Sequence, residues 1–335
     1  MHILIFRNFF SVCILFVFIA GVSSCHYDPG PTQSAGGTWT SDSFAGLTKR
    51  SAHSVSVVNG KIYVIGGTDS LNAQVVSKID VFDPSAHMWT SASTTGNFTP
   101  RFGFTSSVIG GKIYVMGGEW LDHGIVNTLE VFDPLTNTWS TPVTTGTFTP
   151  RMVLTSSVIG DKIYVLGGSG YSGFLFNTVE VFDPSTNVWS TPVTTGTFTA
   201  RENLSSSVVN GKIYVIGGKV DNGVTNIIEV FDPSTNVWST PSTTGSFTPR
   251  QAHTTAVIGN KIYVIGGLAD PPACRVATLE VFDPETKAWN KPAVSGAFTP
   301  RASLSSGVID GKIYVIGGIS DNGVSNANEV FTPSP

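Results

Sequence analysis

The chain has 335 residues and a formal net charge of -4, and only 13% of its residues are Asp, Glu, Lys or Arg. No basic stretch is present to neutralise phosphates, so the composition excludes a nucleic-acid partner held by backbone electrostatics. Val, Ile, Thr, Tyr, Phe and Trp, punctuated by Gly and Pro, form the composition of short strands and tight turns.

Residues 1–24 read as a signal peptide: Arg7 lies in a short positive region, and Phe9 to Val22 is an apolar run of 14 residues. That length suits an export leader and is short for a membrane span. Val22-Ser23-Ser24 ahead of Cys25 resembles a bacterial lipobox, in which the cysteine becomes the lipidated first residue of the mature protein. Ordinary leader cleavage also fits Val22 and Ser24. His26, rather than Asp, follows Cys25, and by resemblance to envelope lipoproteins this implies outer-membrane sorting, with a periplasmic or secreted protein as the alternative. Residues 25–36 read as a flexible tether, reaching about 40 Å if extended. Cys13 in the leader and Cys25 at the junction leave Cys274 alone in the folded part. The expectation is therefore no internal disulfide and no thiol cluster for zinc.

From residue 37 to the end, one unit of about fifty residues is written six times. Its clearest element is Lys61-Ile62-Tyr63-Val64-Ile65-Gly66-Gly67, which returns at Lys112, Lys162, Lys212, Lys261 and Lys312. The arginine opening each unit stands at Arg50, Arg101, Arg151, Arg201, Arg250 and Arg301, in steps of 51, 50, 50, 49 and 51. A fixed period in this range marks a modular array. In the third unit, Met152 to Ile159 reads as strand 1, Gly160-Asp161 as a hairpin turn and Lys162 to Gly168 as strand 2. Thr178 to Phe182 follows as strand 3, Asp183 to Asn187 as a turn and Val188 to Ser190 as strand 4.

The terminal diglycine, the Tyr three residues before it, Glu-Val-Phe-Asp-Pro on strand 3 and the Trp of strand 4 resemble the kelch family of β-propellers. That resemblance implies an all-β, six-bladed propeller over residues 37–335, with four antiparallel strands per blade. The sixth unit stops at Glu329-Val330-Phe331 without a Trp, and the missing piece stands at Thr38-Trp39-Thr40. Residues near 37 to 42 are thus expected to supply the outer strand of the last blade, since an open ring would leave strand edges exposed.

Each unit carries one Arg and one strand 3 acid, at Asp80, Glu130, Glu180, Glu229, Glu280 and Glu329, which predicts repeated structural ion pairs. Individuality lies elsewhere, in the residue after each Arg and in the loops that follow the diglycines. The candidate binding face comprises Ser51, Phe102, Met152, Glu202, Gln251, Glu119, Trp120, Tyr171, Phe174 and Lys219, because function usually sits on loops positioned by a rigid scaffold. Phe104, Leu154 and Leu204 are expected to point into blade cores instead.

No catalytic set emerges. Gly168-Ser169-Gly170-Tyr171-Ser172-Gly173 fits a dinucleotide glycine pattern but leads into a strand, so no helix N-terminus awaits a pyrophosphate. His53 and His253 occupy equivalent positions and read as structural, leaving no metal and no cofactor expected. The sequence therefore favours a binding module over an enzyme: an exported, lipid-anchored propeller recognising a protein or a glycan. The alternative is a sugar mutarotase or epimerase resembling the periplasmic sialic-acid mutarotases, with Glu202, Glu119, Lys219 and Arg201 as candidate groups and no pairing to identify them.

Overall fold

The computed structural model describes residues 23–24, 35–42, 45–69, 74–121, 123–270 and 274–334. The rest of the expected leader, the lipobox Cys25 and most of the expected tether lie outside these residues. Six four-stranded antiparallel blades surround one axis. Blade 1 comprises Ser54–Val58, Lys61–Ile65, Ile79–Asp83 and Met88–Ser91, and blades 2 to 5 repeat this order. The inner strands are neighbours around the axis, with the sixth returning to the first. Tyr171–Gly173 is the one helical turn among the described residues.

Local chemistry explains the meander. The turns between inner and second strands have positive φ at both central residues, as at Asn59-Gly60, Gly160-Asp161 and Asp310-Gly311. These are the mirror-image turns whose twist matches that of the flanking strands. In the turn after the third strand, Asp183 Oδ1 accepts from the Ser185 amide (3.0 Å) and hydroxyl (2.6 Å), holding the bend locally. The inner strand of blade 3 begins at Thr155 rather than Met152. Val153 takes φ +48°, and that left-handed residue breaks the strand from what precedes it.

Both glycines of each pair are left-handed, for example Gly66 at +60° and Gly67 at +85°. A Cβ on Gly66 would stand 2.8 Å from the Arg101 carbonyl of the next blade, and one on Gly67 2.5 Å from the Ser51 carbonyl. Close approach on two sides therefore requires glycine at both positions, not only at the second.

Closure follows the sequence expectation. Ala35–Asp42 pairs antiparallel with Asn328–Pro333, and Trp39 stands opposite Phe331, the register that Trp89 and Phe82 keep in blade 1. A short parallel strand, Ala293–Ser295, flanks the closing strand on its other side. Trp39 packs with tilted rings against Phe298 (4.7 Å) and Phe331 (5.1 Å), so an interblade phenylalanine and a third-strand phenylalanine enclose it. The same trio recurs as Phe148, Trp189 and Phe182 and as Phe198, Trp238 and Phe231.

Two further devices join neighbouring blades, and a third holds each blade to the segment that enters it. The amide of each second glycine donates to the carbonyl of the next blade's arginine at 2.8–2.9 Å, from Gly67 to Arg101 and finally from Gly318 to Arg50. Hydroxyls on adjacent inner strands bond each other, as Thr105 and Ser107 both do with Ser156 (2.7 and 2.8 Å). At the seam between blades 6 and 1 this girdle turns apolar, with Gly307 leaving room for Val55 and Val57. Third, the arginines pair within each blade as expected: Arg50–Asp80, Arg101–Glu130, Arg151–Glu180, Arg201–Glu229, Arg250–Glu280 and Arg301–Glu329, every guanidinium fully buried. Each carboxylate also accepts from the backbone of the residue two before its arginine, as Glu180 does from Thr149 (2.9 Å). Pairing and hydrogen bonding of this kind make a buried charge tolerable, although the Nε atoms of Arg201 and Arg301 are buried without a partner.

Candidate mouth of the axial channel

The residue two after each arginine lies against the axis: Ala52, Gly103, Val153, Asn203, Ala252 and Ser303. All six are left-handed, with φ between +48° and +62°. Each amide donates to the carbonyl of its equivalent in the preceding blade, and Ala52 donates to Ser303, completing a circle of six hydrogen bonds of 2.5–3.0 Å. These residues and the ones that follow them line an axial cavity of about 110 Å³. No sequence pattern marked this circle, because it uses main-chain groups alone.

The rim is built outward from it. The residue after each arginine bridges the residue after the diglycine, which bridges the returning limb of the loop. The result is a three-residue rung per blade. In blades 1 to 3 the rungs are Ser51–Thr68–Val75, Phe102–Glu119–Ile125 and Met152–Ser169–Leu175. In blades 4 to 6 they are Glu202–Lys219–Val224, Gln251–Leu268–Arg275 and Ala302–Ile319–Val324. Directly opposed antiparallel residues present their side chains on one face, so each rung acts as a unit.

The candidate residues divide accordingly. Ser51, Phe102, Met152, Glu202, Gln251 and Glu119 are brought together in the rungs and are buried there. Ser51 hydrogen-bonds Thr68 (3.1 Å), Glu202 pairs with Lys219 (3.4 Å), and Gln251 accepts from Asn203 (3.4 Å). Phe102, Ile125 and Met152 form an apolar cluster against Val75, Ala52 and Val153, spanning three blades over the axial circle. Arg275 reaches Asp321 of the neighbouring loop (2.6 Å). Glu119 is buried with no counter-charge among the described residues, and desolvation holds its carboxyl above the ordinary range.

Trp120, Tyr171 and Phe174 sit farther out on the loops of blades 2 and 3. Trp120 is half-buried and stacks on the exposed His123 with ring centroids 3.5 Å apart. Tyr171 is 57% exposed, yet its hydroxyl donates to the Ile125 carbonyl (3.0 Å), tying the blade 3 loop to blade 2. Phe174 is 66% exposed and packs edge-on against Phe176, whose face covers Arg151. Arg201 belongs to the buried ion pairs and lies away from the rim chemistry.

Phe104, Leu154 and Leu204 lie in interblade cores, as expected. His53 and His253 share that position, buried, with neither ring nitrogen well hydrogen-bonded. No group of three or more His, Cys, Asp or Glu among the described residues is placed to hold a metal. One expectation is overturned: Cys274 is disulfide-bonded, its partner lying outside the described residues. Beside it, Ser23–Ser24 runs parallel to Cys274–Arg275 along the blade 5 loop. Counting cysteines by predicted processing had removed the partner from consideration.

The family model for the KLHDC2/KLHL20/DRC7 kelch-repeats domain matches residues 52–267 and 153–333, two overlapping stretches that run through all six blades. A comparison with curated proteins returns no match.

Proposed function

Because the chain belongs to the kelch-repeat propeller family, we propose that it is a binding module that takes a protein ligand on the mouth face of blades 2 and 3. The observation that carries this reading is the loop surface made by Trp120, Leu121, His123, Tyr171 and Phe174. Its rings are exposed, or half-buried at Trp120, yet held by stacking and by the Tyr171 hydrogen bond. Aromatic anchors on a rigid base lose little conformational freedom on binding, which is what makes such residues hot spots. The other face repeats nearly the same turns and lysine–aspartate pairs in blade after blade and offers little individuality.

The purified protein, used to capture envelope proteins and run beside a glycan array, is expected to retain a protein. Trp120→Ala with Phe174→Ala should weaken capture at least about tenfold while leaving the melt unchanged, since each hot spot contributes about 2 kcal/mol or more. Glycan retention alone, or capture indifferent to both substitutions, defeats the reading.

Export with a lipid anchor at Cys25 completes the proposal, placing the face in the cell envelope. It rests on the apolar leader and the lipobox resemblance. Lipidation makes the Cys25 sulfur a thioether, which cannot also join a disulfide. Intact mass of protein from bacterial membranes is expected to show the lipid adduct, and Cys25→Ser should release the protein from the membrane fraction. Cleaved, unlipidated protein in the soluble exported fraction overturns the anchor.

A further inference from the structure

Among the charged members of the six rungs, Glu202 and Lys219 face each other and Arg275 has Asp321. Glu119 differs: it is 4% exposed, and its carboxylate makes no hydrogen bond or ion pair among the described residues. Its rung partners are Phe102 and Ile125, so its side chain shares a face with the apolar cluster that crosses from blade 1 to blade 3. The carboxylate oxygens keep a narrow opening to solvent, yet a carboxylate so nearly enclosed by apolar groups and without a partner is costly. The fold has no use for this cost: at the same rung position the other blades carry Thr68, Ser169, Lys219, Leu268 and Ile319. Burial raises the Glu119 pKa with no neighbouring charge or hydrogen bond acting against it, unlike that of Glu130, where Arg101 and Thr99 oppose the same rise.

We propose that the mouth receives a basic side chain of a peptide, an arginine or a lysine with an adjacent apolar residue, and that Glu119 is its counter-charge. This inference rests on the protein-binding reading above and gives that ligand its chemistry. The ammonium or guanidinium enters beside Phe102 and meets Glu119, while the neighbouring apolar residue packs on Met152 and the half-buried Val75. The entering cation offsets the desolvation that the free protein bears, so the gain is larger than for an exposed rim pair. Glu202 already has a cation across its rung and offers no such gain.

The test selects randomised dodecapeptides displayed on phage against the purified protein, then remeasures affinities with synthetic peptides. Enriched peptides are expected to carry Arg or Lys beside an aliphatic or aromatic residue. Citrulline in place of the enriched arginine, or norleucine in place of lysine, should weaken binding at least tenfold with the protein untouched. Glu119→Gln should weaken the parent peptide equally and the neutral peptide hardly at all, with a melt at or above that of the parent protein. Glu202→Gln should leave the difference between the two peptides intact. Enriched peptides without a basic residue, or equal binding of the charged and neutral peptides, overturn the Glu119 assignment while leaving the face a peptide-binding surface. Failure of any peptide to compete at this face overturns both readings.

Discussion

Replacing Trp39 by alanine is expected to lower the melting temperature by about 10 °C, and deleting residues 35–44 to remove the cooperative melt of the ring. Trp39 is 3% exposed and enclosed by Phe298 and Phe331. Truncating such a tryptophan costs about 3–5 kcal/mol, and in a domain of this size each kcal/mol moves the midpoint by about 2–4 °C. The deletion goes further, because it strips the sixth blade of an outer strand paired from Gly37 to Asp42 and exposes the edge of Asn328–Pro333. Trp289 occupies the equivalent place in blade 5 but is only half-buried, so Trp289→Ala should cost less and serves as the control. Differential scanning calorimetry reads both effects. A deletion variant that melts like the parent would mean that the ring does not depend on its first strand.

Acid is expected to destabilise the protein through two histidines. Burial, with Arg50 and Arg301 nearby, lowers the His53 pKa to about 3; burial, with Arg250 and Arg201 nearby, does the same for His253. Only the carbonyls of Ile316 and Ile216 favour the proton. The folded value is below the unfolded value of about 6.5, so the unfolded chain binds more protons between the two. The contribution of each neutral histidine is fully present above pH 6.5 and is lost as the pH falls from there towards 3. At pH 5 the two together forfeit about 4 kcal/mol relative to pH 7. Blades 3, 4 and 6 carry Leu154, Leu204 and Leu304 at this position, so the fold itself supplies the substitution. The double variant His53→Leu, His253→Leu should show a clearly flatter dependence in urea melts between pH 7 and pH 4.5. Glu119 and Glu130, raised by desolvation, act in the opposite sense but are common to both proteins. Parallel pH curves for parent and variant would refute the account.

What could be read without coordinates was whatever repeats as a side chain. The absence of a tryptophan after Phe331 and the presence of Trp39 at the other end located the closing strand. One arginine and one acid per copy located the buried pairs. The axial circle was illegible for the opposite reason, since Ala52, Gly103, Val153, Asn203, Ala252 and Ser303 share only a backbone dihedral. The rungs were half legible. Their first two residues keep a constant distance from Arg and from diglycine, whereas the third arrives six residues after the second glycine at Val224 and eight after it at Val75. Glu119 and Glu202 look alike in the sequence, and only the register across each rung shows that one has a cation opposite it and the other has Phe102 and Ile125. The cysteine reading failed because it set both Cys13 and Cys25 aside by expected processing before asking what Cys274 bonds.

The circle of main-chain hydrogen bonds also bears on how such a protein changes over generations. A centre held by amides and carbonyls asks little of the side chains mounted on it: it excludes proline, which lacks the donor and cannot adopt a positive φ, and its left-handed backbone disfavours bulky and β-branched residues. Six positions around the axis, each followed or preceded by a rung residue, are thereby free to mutate one at a time without a compensating change elsewhere. A lineage can retarget this face blade by blade while inheriting the ring unaltered.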